Sequence, residues 1–140
     1  MAQLATTQPV RQTPRCLLVE DSDFDQRRIA RILARGVTVD LTTASTLADA
    51  RRVLSEEFFD LILLDNSLPD GLGVDFAAEL RERNGLNDVP ILMISDWPTP
   101  FMYDKASAAR VGMVLGKDDF QPRHVRDALR FARVMAMSKQ

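Results

Sequence analysis

Two acids, Glu20 and Asp21, follow the apolar run Cys16-Leu17-Leu18-Val19, and a third, Asp65, follows Leu61-Ile62-Leu63-Leu64. Ser95 closes a similar run, Ile91-Leu92-Met93-Ile94, and Lys117 stands just beyond Met113-Val114-Leu115. If one crevice holds all three carboxylates at ~5 Å, each pair repels by about 3 kcal/mol at an effective dielectric of ~20. Such a cluster needs protons or a cation. Mg²⁺ suits it, because this hard ion is content with one or two carboxylates, waters and a phosphate oxygen. A carboxylate can also attack phosphorus and form an acyl phosphate. A lysine supplies a point charge for phosphoryl oxygens, and a serine hydroxyl supplies one further hydrogen bond.

The elements that must position these residues are legible as an alternation. Each short apolar run reads as a buried strand, and the β-branched stretch 37–41 as another. Between them lie helical patterns over 24–33, from Thr46 onward, over 74–84, over 102–110 and from Pro122 onward. Thr46 suits an N-cap, Gly36 and Gly85 suit helix ends, and Pro122 suits a first turn. Five strands alternating with five helices imply an α/β fold, a parallel sheet covered on both faces. In open sheets of this kind, ligands bind beyond the carboxyl ends of the strands. Glu20, Asp21, Asp65, Ser95 and Lys117 all fall at those ends.

Composition narrows the classes. The 140 residues suffice for one domain, and 46% apolar with 27% charged residues is the balance of a globular chain. A net charge of −2 and a pI of about 5.4 argue against broad attraction to nucleic acid. Cys16, the single cysteine, cannot form an internal disulfide, which fits a cytoplasmic location. The N-terminus lacks the apolar core of a signal peptide, and no stretch approaches the ~20 residues of a membrane span. Residues 1–14 read as a flexible tail and 15–138 as the domain. A calcium loop starting at Asp21 fails, with Gln26 at the turn glycine and Ile32 at the bidentate glutamate.

Four pieces, in order, resemble the receiver domain of two-component response regulators: Leu17-Leu18-Val19-Glu20-Asp21-Ser22, the run from Asp60 through Asp65 to Gly71, Val89-Pro90-Ile91-Leu92-Met93-Ile94-Ser95, and Lys117. The resemblance covers about residues 15–138. It implies a flavodoxin-like doubly wound sheet of strand order 2-1-3-4-5. It implies that Asp65 accepts a phosphoryl group, with Ser95 as switch hydroxyl and Lys117 on the phosphoryl oxygens. It implies Mg²⁺ on Asp21, Asp65 and the Ser67 carbonyl, with Glu20 reaching the ion directly or through water. The implied donor is a histidine kinase or histidine phosphotransfer protein, and the chain is a signalling protein rather than a turnover enzyme. Since only three residues follow the last helical pattern, the expectation is a stand-alone regulator. It would signal to a downstream protein target or pass the phosphoryl group on, as a monomer or a phosphorylation-promoted dimer.

Three positions depart from the family pattern. Asp118 replaces the usual proline after the lysine, so a trans bond is expected there. Val114 stands where the family has a mobile aromatic ring, and Asp96 where a small residue follows the switch hydroxyl. Asp96 either caps the next helix or adds a fourth acid to the site. The Val114 and Asp118 departures motivate an alternative, a module that binds a partner regardless of phosphorylation. A phosphohydrolase is disfavoured, since Ser67 replaces the second acid of its Asp-x-Asp signature. Cys16 reads as core, Asp70 as a turn residue, His124 as exposed, and Met135 and Met137 as packing residues.

Overall fold

A computed structural model describes residues 13–138. The flexible tail expected over 1–14 lies outside them save for residues 13 and 14.

The sheet strands are β1 (Arg15–Val19), β2 (Asp40–Ala44), β3 (Leu61–Asp65), β4 (Ile91–Ser95) and β5 (Met113–Gly116). The helices are α1 (Asp23–Ala34), α2 (Leu47–Glu56), α3 (Gly73–Arg81), α4 (Pro100–Ala108) and α5 (Pro122–Ser138). All strand pairs are parallel and the order is β2-β1-β3-β4-β5, as the resemblance implies. A two-residue antiparallel ladder, Ser67–Leu68 with Gly71–Leu72, folds the loop after Asp65.

Side chains alternate across the strands, so one sequence fills two cores. Leu17, Val19, Ile62, Leu64 and Met93 pack beneath α2, α3 and α4. Cys16, Leu18, Leu61, Leu63 and Ile94 pack beneath α1 and α5. Double burial explains why β1, β3 and β4 are unbroken apolar runs. It also explains Cys16, fully buried, with its thiol pushed up to about 12 chiefly by desolvation.

Helix starts follow from caps. Ser22, Thr46 and Thr99 each accept a backbone N–H from three residues on. Asp70 does more than shape its turn. Its carboxylate accepts from the N–H groups of Leu47 and Ala48, tying the β3 loop to the start of α2. At Gly73 a Cβ would lie 2.2 Å from the carbonyl oxygen of Asp65, so only glycine permits the close return of the chain behind that residue.

Four expectations are corrected. The second strand lies at Asp40–Ala44, not 37–41: β1 sets its register from Arg15 opposite Asp40, while Val37 and Val39 lie against the α1/α5 core. Helix α3 stops at Arg81, three residues early. There the Arg81 guanidinium donates to the carbonyls of Leu86, Val89, Ala109 and Arg110, fixing a turn in place of a further helical turn. His124 is buried; its Nδ1 accepts from the Gln121 N–H and its ring stacks on Phe120. Met135 and Met137 are exposed, in the last turns of α5, where neither joins either core.

Candidate functional site

Glu20 and Asp21 follow β1, Asp65 ends β3, Ser95 ends β4 and Lys117 follows β5. Because β1 and β3 are neighbours, the first two acids meet the third. One carboxylate oxygen from each of Glu20, Asp21 and Asp65 lies within 4.8 Å of the others. Glu20 and Asp65 are buried and Asp21 is exposed. The arrangement is a cluster of acids open to solvent on one side.

Lys117 is buried with them. Its Nζ lies 2.7 Å from Asp25, 2.8 Å from Glu20 Oε1, 3.5 Å from Asp96 and 3.9 Å from Asp65. The hydrogen bond to Asp25 and the close ion contact with Glu20 outweigh its desolvation and hold it protonated well above the usual lysine range. The acids are raised too, which for a carboxyl favours the neutral form. Desolvation, then repulsion from Glu20, pushes the Asp65 carboxyl up to about 7, against the pull of Lys117 and the backbone N–H groups of Asn66 and Ser67. Glu20 is also raised, mainly by burial. One lysine cannot neutralise this many carboxylates.

The acids fit a hard cation on an observation of their own. Glu20 Oε1 is buried without a partner in hydrogen-bond geometry. Its contact with Lys117 is close but badly angled, an ion contact rather than a directed bond. Oε2, by contrast, accepts from the Ser22 N–H. An oxygen left with spare capacity beside two further carboxylates is the donor set that Mg²⁺ takes.

Asp65 and Ser95 also share a cleft of about 170 Å³ with Asn66, Ser67, Asp96 and Trp97. Ser67 is exposed on its rim. Asp96 does not cap α4, since Thr99 does. It is instead a fourth acid at the mouth, within reach of Lys117. Val114 is half-buried and packs against the α2–α4 core. No peptide bond among the described residues is cis, so Lys117–Asp118 is trans as expected.

Residues 16–130 match the response regulator receiver domain family. The chain belongs to that family. Phosphoryl acceptance within two-component systems is the general function of such domains. The response regulator PilR of Pseudomonas aeruginosa is 33% identical over 78 residues, 56% of this chain and 17% of PilR. The transcriptional regulatory protein TorR of Escherichia coli is 31% identical over 105 residues, 74% of this chain and 41% of TorR. The chain thus spans less than half of either regulator. A CheY-like receiver domain from Methanospirillum hungatei superposes with a TM-score of 0.78 at 19% identity, covering 89% of this chain and 99% of that one. No helix among the described residues is long and apolar enough to cross a membrane.

Two residues at the receiver site escaped the sequence reading. Asp25 donates no motif, yet it is the shortest contact of Lys117. Arg28, one turn further along α1, holds Asp118 at 2.5 Å. The available signal was a matched pair: Asp25 and Arg28 mirror Lys117 and Asp118 in charge and order.

Proposed function

We propose that this receiver accepts a phosphoryl group on Asp65 from a histidine kinase or histidine phosphotransfer protein, with Mg²⁺ held by Glu20, Asp21, Asp65 and the Ser67 carbonyl. The observation that carries the reading is a buried carboxylate at the end of β3, flanked by two more acids and by a buried lysine. When bound, the ion neutralises charge on the incoming phosphoryl oxygens. Asp65 presents the attacking oxygen. Lys117 holds a fixed positive charge beside it, and Ser95, at the end of the neighbouring strand, offers a hydroxyl in the same cleft. The Ser67 carbonyl belongs to this set by its place on the cleft rim and by family resemblance. Output is contact with a protein target, or onward transfer of the phosphoryl group. Asp96 at the mouth repels small anionic donors, so a docked protein donor is favoured.

Phosphotransfer from a panel of histidine kinases tests the reading. Label is expected on the wild-type chain and absent from Asp65→Asn. Label on the variant would overturn the assignment.

The raised Asp65 carboxyl adds a pH dependence. Below about pH 7 that carboxyl holds a proton in the metal-free protein, and the ion must displace it. Saturating Mg²⁺ therefore raises the melting temperature more at pH 8 than at pH 5.5. An equal or larger shift at pH 5.5 would contradict a site that includes Asp65.

A second reading has a specific observation behind it. Val114 is packed in place of a mobile ring, and Asp118 is tied down by Arg28. These favour a receiver that binds its partner regardless of phosphorylation. Partner affinity unchanged by Asp65→Ala would support that reading over the first.

A further inference from the structure

Helix α1 carries a charge pair that the receiver chemistry described above does not use. Asp25 and Arg28 lie on one face, a turn apart. They meet Lys117 and Asp118 with opposite sign: Asp25 with Lys117 at 2.7 Å, Arg28 with Asp118 at 2.5 Å. Arg28 also reaches the Lys117 carbonyl at 3.5 Å. The start of α1 is itself fixed, because Ser22 accepts from the Asp25 N–H and donates its own N–H to Glu20. The Asp25 backbone is therefore fixed by the helix start, and its carboxylate accepts from the Lys117 ammonium.

The pair with Lys117 is no ordinary surface ion pair. The lysine side chain is 6% exposed and that of Asp25 16%. Shielded from water, the attraction keeps most of its strength. The ammonium has three donors. Asp25 takes one through a hydrogen bond, Glu20 engages the ammonium by its ion contact, and Asp65 is left at 3.9 Å, beyond hydrogen-bond reach. Asp25 also lies outside the group of acids that could share a cation, so a metal there does not release its hold.

We propose that Asp25 is a positioning residue that holds the Lys117 ammonium back from Asp65 and thereby slows phosphoryl acceptance. The inference rests on Asp65 being the acceptor. In the step concerned, an Asp65 carboxylate oxygen bonds to phosphorus as the bond from phosphorus to its leaving group breaks. With phosphoramidate as donor, protonated on nitrogen, that group departs as ammonia with the bonding pair. Charge on the phosphoryl oxygens is then met by Lys117 only as far as Asp25 yields it.

The test is the initial rate of Asp65 phosphorylation by phosphoramidate with Mg²⁺, followed by intact mass, for wild type, Asp25→Asn, Asp25→Glu and Asp65→Asn. Asp25→Asn is expected to react about tenfold faster, the worth of one charge-assisted hydrogen bond. Asp25→Glu, which keeps the charge, stays near the wild-type rate. A second readout needs no phosphoryl transfer. In the metal-free protein, the Lys117 ammonium should exchange with water several-fold faster in Asp25→Asn than in wild type, seen by ¹⁵N NMR. Labelling confined to Asp65 with no acceleration in Asp25→Asn, or ammonium exchange unchanged, would overturn the inference alone. Label surviving Asp65→Asn would overturn the acceptor reading and the inference with it.

Discussion

Replacing Lys117 by alanine should lower the stability of the metal-free protein by roughly 3–5 kcal/mol at pH 8, the usual cost of leaving buried charge without its partner. The reason is the company the lysine keeps. Glu20 is 1% exposed and Asp65 6%, and Lys117 is the cation both of them face. Without it, the two carboxylates repel across a short gap in a poorly solvated crevice. Their escape is to take up protons, so the loss should shrink at pH 5, where protons are plentiful. Mg²⁺ should restore much of the stability at pH 8, because it supplies the missing positive charge to the same oxygens. Urea denaturation at both pH values, with and without Mg²⁺, measures all of this. A midpoint at pH 8 that does not move would mean that the acids are solvated and the cluster is not built around the lysine.

Replacing Asp65 by asparagine should do the opposite, although Asp65 lies only 3.9 Å from Lys117. The Asp65 carboxyl titrates at about 7 in the fold against an ordinary value of 3.8, raised mainly by burial and then by Glu20. A carboxyl raised by folding binds more protons in the native state. The metal-free wild type therefore loses stability as pH rises from about 4 to about 7. That shift corresponds to a ceiling of about 4 kcal/mol at pH 8. Asparagine has no charge to desolvate, so Asp65→Asn should be more stable than wild type at pH 8 and nearly equal to it near pH 4. It should also gain less from Mg²⁺. A variant less stable than wild type at pH 8 would show that Asp65 serves the fold rather than straining it.

The acids, the serine and the lysine were legible because they sit at the ends of strands. A short apolar run marks a strand whatever its neighbours do, and the residue after it marks the sheet edge. Once β1, β3, β4 and β5 are placed side by side, Glu20, Asp21, Asp65, Ser95 and Lys117 converge. Less legible was anything set by contact between distant segments. Asp25 looks like one more acid in a first helical turn. Its role appears only when α1 is seen to lie against the turn after β5, a pairing across 92 residues. The edge strand β2 was displaced for the same reason. Its sequence alternates well from Val37, but the partner strand decides where pairing begins. His124 looked exposed because polarity was read without the Phe120 ring and the Gln121 N–H that accommodate it. Arg81 gave no local sign that its guanidinium would gather four carbonyls from three chain segments.

The same contrast applies to the departures from the family pattern. Asp118 reads as a lost proline in the sequence and as half of a salt bridge in the fold. Asp96, left open between a cap and a fourth acid, is settled by Thr99 taking the cap. Each moves negative charge to the approach of Asp65 or fixes the segment carrying Lys117.

The most direct test of the central claim is to phosphorylate the protein from a cognate kinase, reduce it with borohydride, and map the peptides by mass spectrometry. Borohydride converts an aspartyl phosphate to homoserine, so it marks the accepting residue in place. The account predicts homoserine at position 65 and nowhere else. Homoserine at Asp21 or Asp96 with Asp65 intact would contradict it.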